Sequence, residues 1–112
     1  MTIHFEQYIF EGPYSSSGEL EDKPGVYVII CNKNECYFPI DVGETDTVRS
    51  MIENHDQKNL WEWYCSGTLK FSAMYTPGIQ EAHRMKIVKK LRAWYNPPVE
   101  QNKFLNCISS NH

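Results

Sequence analysis

The chain lacks long apolar runs, signal-peptide features and Cys-x-x-Cys motifs. None of its 112 residues belongs to an apolar run long enough for a membrane-spanning helix, and no signal peptide follows Met1, so we expect a cytoplasmic protein that binds no membrane. Its cysteines form no Cys-x-x-Cys pair and do not match histidines at zinc-site spacing. These cysteines are Cys31, Cys36, Cys65 and Cys107. We expect reduced, structural thiols, since the cytosol keeps thiols reduced.

The sequence also has no excess of positive charge. Its net charge of -3 argues against a nucleic-acid binder, because binding to phosphates usually needs a concentrated basic face. The charge is unevenly distributed, however, since residues 83–92 hold five of the eleven Lys and Arg residues. These five are Arg84, Lys86, Lys89, Lys90 and Arg92. They form the candidate nucleic-acid-binding surface, although a basic helix face of this kind is most often simply exposed to solvent without binding a ligand.

Local patterns predict three strands. The run 25–31 is β-branched and apolar on both faces, which is typical of a central strand. A polar turn of four residues over 32–35 leads to a second strand over 36–42. Because Pro39 has no backbone N–H to donate to a neighbouring strand, it favours an edge strand or a β-bulge at that point. Alternation over 68–75 predicts a third, half-buried strand.

Three helical segments complete the pattern. A short amphipathic helix is expected over 46–55, with Thr45 or Asp46 as its N-cap, and a second short helix within 56–65. The longest helix runs from residue 79 to about residue 94. The order β-β-α-α-β-α predicts an α/β (α+β) fold, with a small three-stranded, mainly antiparallel sheet flanked by helices.

The chain divides into three segments. Residues 1–23 form an N-terminal extension, in which 2–10 favour an edge strand and 12–18 favour a loop. Residues 24–98 form the domain, and residues 99–112 are a polar C-terminal tail that we expect to be loosely held.

The element order and four sequence features resemble the GIY-YIG nuclease family. The first motif is matched by Gly25-Val26-Tyr27 on the first strand, and the second by Asp41-Val42-Gly43 at the end of the second strand. The histidine that follows in the family is matched by His55, and the asparagine after the last helix is matched by Asn96.

The resemblance implies a metal-dependent endonuclease. In that family a tyrosine assists the attacking water, an arginine contacts the scissile phosphate, and a glutamate holds one divalent ion, here Mg²⁺ if the protein is active. Tyr27, His55 and Asn96 match this site by position.

Three positions depart from the family. Asp41 replaces the second tyrosine, Met51 replaces the arginine, and Arg84 replaces the metal-binding glutamate. Losing one charge-neutralising donor typically lowers the rate by about 10²- to 10³-fold. We therefore expect a GIY-YIG-like protein with a degenerate site, whose phosphodiester-hydrolysing activity is lost or strongly altered, and which binds DNA or RNA through its last helix and Tyr27.

Two alternatives stay open. The first is an active nuclease of an atypical branch, in which Glu81 or Asp41 holds the metal and Arg49 or Arg84 contacts the phosphate, since hard cations prefer carboxylates. The second is a protein-interaction scaffold, because a fold alone does not carry a function. The negative net charge favours this second alternative.

The candidate residues also have ordinary structural explanations. Tyr27 suits a core tyrosine, His55 suits a helix terminus, and Asn96 suits a helix stop before proline. Trp61 and Trp63 could stack on bases, but tryptophans pack in cores more often.

Overall fold

The structure is a computed structural model, and it describes residues 1–95 and 108–109. In chain order its elements are β1 (Thr2–Phe5), β2 (Tyr8–Tyr14), a 3₁₀ turn (Ser17–Glu19), β3 (Gly25–Lys33), β4 (Cys36–Thr45), α1 (Val48–Glu53), α2 (Lys58–Tyr64), β5 (Thr68–Tyr75), α3 (Glu81–Tyr95) and β6 (Ile108–Ser109). The α+β class expected from the sequence is confirmed. No helix among these residues is long and apolar enough to cross a membrane.

All strands join one antiparallel sheet in the order β1-β2-β5-β3-β4-β6. The predicted count of three strands is therefore too low, because the N-terminal segment adds two strands next to β5 and residues 108–109 add β6 next to β4. The loop expected over 12–18 is also corrected, since β2 continues to Tyr14. Gly12 and Pro13 lie where the β2–β5 register shifts, so these turn-favouring residues produce an irregular strand instead of a loop.

The β3–β4 hairpin is tighter than expected. Its turn contains two residues, Asn34 and Glu35, with φ angles of 54° and 64°, and two such positive values are typical of a type I′ turn. The bulge predicted at Pro39 is confirmed, because the β3–β4 register shifts between Pro39 and Asp41. The extra residue moves the end of β4 to the register that brings Tyr27 opposite Gly43.

The sheet separates two apolar layers, since alternate residues of β3 point to opposite faces. The face under α3, here called the α3 face, is packed by Ile3, Phe5, Phe10, Val26, Val28, Ile30, Val42, Val88, Leu91 and Tyr95. The other, here called the α1/α2 face, is packed by Leu20, Tyr27, Ile29, Cys31, Ile40, Val48, Ile52, Trp61 and Ala73. Residues 1–23 supply side chains to both layers and so pack as part of this single unit.

The expectation of reduced thiols is wrong. Cys31 of β3 and Cys65, directly after α2, form a disulfide with a Cα–Cα distance of 5.4 Å. Cys36 is disulfide-bonded as well. Cys31 lies on the α1/α2 face, where the end of α2 packs, and that proximity depends on tertiary structure that linear spacing does not reveal.

Candidate functional site

Tyr27 occupies the centre of the sheet on the α1/α2 face. It lies on β3 and pairs in register with Gly43 of β4, so the tyrosine of the first sequence motif meets the glycine of the second across the hairpin. The Tyr27 side chain is 5% exposed. Its ring occupies the space that a Cβ on Gly43 would need, which explains why a glycine stands there.

His55 follows α1 and reaches Tyr27. Its Nε2 atom lies 3.0 Å from the Tyr27 hydroxyl oxygen, and its Nδ1 accepts a hydrogen bond of 3.0 Å from the Gln57 backbone N–H. Since Nδ1 is the acceptor, the neutral imidazole carries its proton on Nε2 and donates it to the Tyr27 oxygen. The structure thus brings together two of the residues predicted from the family resemblance.

Asp41 is buried at the same place, with 3% of its surface exposed. Its Oδ2 accepts a 2.7 Å hydrogen bond from the indole Nε1 of Trp61. The Trp61 ring in turn lies 4.6 Å from the His55 ring, centroid to centroid. Asp41 is therefore linked to His55 by Trp61, a residue for which the sequence favours core packing.

One feature of the sequence indicates that Trp61 has a polar contact near His55. A buried indole N–H usually needs an acceptor, and the predicted short helix containing Trp61 begins directly after His55. By contrast, Trp63 is 76% exposed and packs edge-on against Tyr64, with ring centroids 5.0 Å apart.

Arg84 lies on the opposite side of the sheet, in α3. Its Nε donates to Glu44 Oε1 at 2.9 Å, its Nη2 to Asp46 Oδ1 at 2.8 Å, and its Nη1 to the Ile79 carbonyl at 2.8 Å. The hydrogen bond to Glu44 is the main reason why the pKa of Arg84 is raised. This guanidinium is buried, so it is separate from the exposed lysines of the same helix.

Arg49 and Met51, at or near the position of the family's arginine, both lie on α1. Arg49 is exposed on α1 and lies near Asp22, where it helps to lower the pKa of that carboxylate. The larger cause of that lowered pKa is hydrogen bonding from Ser50, whose N–H and hydroxyl both donate to Asp22. Met51, at the position of the family's arginine, is 39% exposed.

The exposed lysines of α3 are Lys86, Lys89 and Lys90, here called the α3 lysines. Within the described part of the chain, none of the three forms an ion pair. Arg92 is half-buried, and its Nη2 donates to the Val42 carbonyl at 2.9 Å. The exposed acids near α1, α2 and the 3₁₀ turn are Glu19, Asp22, Glu53, Asp56 and Glu62.

The residues described do not fit a divalent metal centre. Asp41 accepts from an indole on the α1/α2 face, whereas Glu81 begins α3 on the other side of the sheet. A positively charged Arg84 stands where the resemblance places the metal-binding glutamate. Among residues 1–95 and 108–109, no group of three His, Cys, Asp or Glu side chains is arranged to hold an ion. Asn96 lies outside the described residues.

The candidate residues fall into two separate groups. The geometry gives one hydrogen-bonded tyrosine–histidine pair on one face and one set of exposed lysines on the other. No protein-family model matches the chain, and no curated protein or solved structure matches it at a significant level.

Proposed function

We propose that this chain is a GIY-YIG-like protein that binds DNA or RNA through the α3 lysines and has lost metal-dependent phosphodiester hydrolysis. The observation that carries the proposal is the group of exposed α3 lysines on the side of the sheet opposite the Tyr27–His55 pair. The α3 lysines lie on one side of the sheet, and the Tyr27–His55 pair lies on the other, where exposed acids are accompanied by the exposed Arg49 and Lys58. This separates nucleic-acid binding from the residues that the family uses for chemistry.

The α3 lysines suit a phosphate backbone. Lys89 and Lys90 lie three and four residues after Lys86 along α3, so each of them neighbours Lys86 on the helix surface. Lysines without carboxylate partners release counterions from a phosphate chain when they bind it, and this release supplies most non-specific affinity.

The loss of hydrolysis follows from two substitutions. A methionine at position 51 supplies no charge to a scissile phosphate, and Arg84 is already engaged by two carboxylates. Each missing donor lowers a rate by about 10²- to 10³-fold, so a site without arginine and metal ligand retains little activity. The Tyr27–His55 pair remains as a hydrogen-bonded remnant.

Fluorescence anisotropy over a salt series tests the binding. Labelled single-stranded DNA, duplex DNA and RNA of one sequence are titrated with the wild type and with a variant in which the three α3 lysines are changed to Gln. A matched control makes the same change at three exposed lysines outside α3: Lys23, Lys33 and Lys58. The α3 variant should reduce the slope of log K against log salt by about one for each lysine, and the control by much less.

Absence of wild-type binding at low salt would favour the scaffold alternative. Equal losses in the two triple variants would mean that net charge alone, and not the α3 surface, governs association. Preference among the three ligands then identifies the class of nucleic acid that the protein takes.

A cleavage assay tests the second half of the proposal. Plasmid and single-stranded DNA are incubated with Mg²⁺ or Mn²⁺ and either the wild type or Tyr27→Phe. We expect no cleavage by either protein. Cleavage that disappears in Tyr27→Phe would overturn the proposed loss of activity and support the atypical-nuclease alternative.

The location stays a prediction. A cytoplasmic protein was expected from the sequence, but disulfides persist mainly in oxidising compartments. The Cys31–Cys65 bond therefore favours an oxidising environment for the folded protein.

A further inference from the structure

Asp41 and Trp61 form a buried, charge-assisted hydrogen bond. Both residues are almost fully buried, at 3% and 1% exposure, and the indole N–H lies 2.7 Å from the carboxylate. A buried carboxylate needs such donors, and N–H···O⁻ bonds of this length are among the stronger ones. The pair therefore fixes the plane of the indole ring.

That ring forms one wall of the His55 environment. The two ring centroids are 4.6 Å apart and the planes are tilted by 43°. Two further contacts hold the imidazole, namely the Gln57 N–H on Nδ1 and the Tyr27 oxygen at Nε2. Among the described residues, its orientation is thus set from three sides, and Trp61 links Asp41 to it.

Among the described residues, three titratable groups lie near His55 and bear on whether its imidazole is neutral or protonated. Tyr27 approaches from β3, Asp41 lies behind the indole, and Asp56 Oδ1 lies 3.4 Å from Nδ1. A carboxylate bonded to an indole N–H increases the electron density of the ring, and an electron-rich ring attracts a cation near its face. Protonation of Nδ1 would replace the Gln57 contact by the Asp56 carboxylate.

We propose that Asp41 and Trp61 are positioning residues for the His55 imidazole: they hold its ring against Tyr27 and support its protonated form through the indole. This inference goes beyond the proposed function, because it concerns the free protein and involves no nucleic acid. It also assigns Asp41 a task other than holding a metal. Neither residue touches a reacting group.

NMR of the histidine ring nitrogens tests the assignment in the full chain. In the wild type, a long-range ¹H–¹⁵N spectrum should show neutral His55 with its proton on Nε2. The variant Asp41→Asn keeps the size and an acceptor oxygen but removes the charge. It should lower the proton affinity of His55 by about two- to fivefold, the size of a modest cation–π contact, and shift the Trp61 indole proton.

The matched control is Asp46→Asn, the same chemical change at an exposed residue on the other side of the sheet. It should leave the His55 titration unchanged. If Asp41→Asn does not fold, the double variant Asp41→Leu with Trp61→Phe replaces it, because replacing both partners of a buried hydrogen bond by apolar groups is far less costly than removing one.

Two results would overturn the proposal. One is a wild-type His55 with its proton on Nδ1, since the hydrogen-bond order would then be reversed. The other is a folded Asp41→Asn or double variant whose His55 ring shifts and titration equal those of the wild type. That result would reduce Asp41 and Trp61 to core packing.

Discussion

Tyr27 and Gly43 are register partners across β3 and β4, and the phenol ring of Tyr27 covers the backbone of Gly43. The tyrosine of the first motif therefore requires the glycine of the second for steric reasons alone. This relationship accounts for the glycine at position 43 without any catalytic role.

Gly43→Ala should destabilise the protein by about 1–3 kcal/mol, because the new Cβ would overlap the buried Tyr27 ring and force it to move. Urea denaturation of the variant measures this loss. Gly18→Ala is the control, since its Cβ would approach only the Ser16 hydroxyl, at 3.4 Å, and should change stability by less than about 0.5 kcal/mol. Similar losses in both variants would show that the Tyr27 ring does not fill this space.

Arg84→Met should lower the free energy of unfolding by about 2–3 kcal/mol. The change leaves the Glu44 carboxylate, which is 13% exposed, without its partner. The loss is smaller than for a fully buried pair, because Asp46 is 83% exposed and regains water.

The measurement is again urea denaturation, with Lys86→Met as the exposed control on the same helix. Adding Glu44→Gln to Arg84→Met should recover part of the loss, since the unpaired charge is then removed. A control that loses as much as Arg84→Met would contradict the buried ion pair.

The elements that were predicted correctly are those whose signals are local. The apolar run of β3, the alternation of β5 and the periodicity of α3 each depend on neighbouring residues only. The N-terminal strands were underestimated, because Gly12 and Pro13 favour turns and the pairing with β5 that overrides them comes from a distant part of the chain.

The proximity of two candidate residues was expected where motifs fixed their positions. Tyr27 and His55 do meet. Arg84 was assigned to the outer face of α3 because arginine is usually exposed, yet its partner Glu44 lies 40 residues earlier in the chain. The hydrogen bond between Asp41 and Trp61 was missed for the same reason, since tertiary packing alone determines which acceptor lies next to a buried indole N–H.

Removal of the Cys31–Cys65 disulfide should lower stability by about 3–4 kcal/mol, the loop-closure entropy for a separation of 34 residues. The test compares thermal unfolding of the wild type with that of a variant carrying both Cys31→Ala and Cys65→Ala. Reductant should lower the melting temperature of the wild type more than that of the variant. An equal effect of reductant on both would show that this disulfide does not form in solution.

Alkaline pH should weaken the fold through Tyr95. This residue packs edge-on against Phe5, with centroids 5.7 Å apart, and its hydroxyl donates to Glu6 Oε1 at 3.4 Å. Burial, followed by the nearby Glu6 charge, raises the pKa of Tyr95 from its ordinary 10.0 to about 12. The folded state therefore holds this proton more tightly than the unfolded chain does.

The sign of the effect follows from that difference. The stabilising contribution is complete below pH 10 and is lost as the pH rises towards about 12, by up to about 2 kcal/mol. Tyr95→Phe keeps the ring packing and removes the ionisable group, so its stability should fall less over this range in urea denaturation. Tyr14 and Tyr75 also have pKa values that are raised, mainly by burial. Their ionisation accounts for the loss of stability that remains in Tyr95→Phe at alkaline pH. If the wild type and Tyr95→Phe lost stability in parallel, the proton on Tyr95 would not be the one that couples folding to alkaline pH.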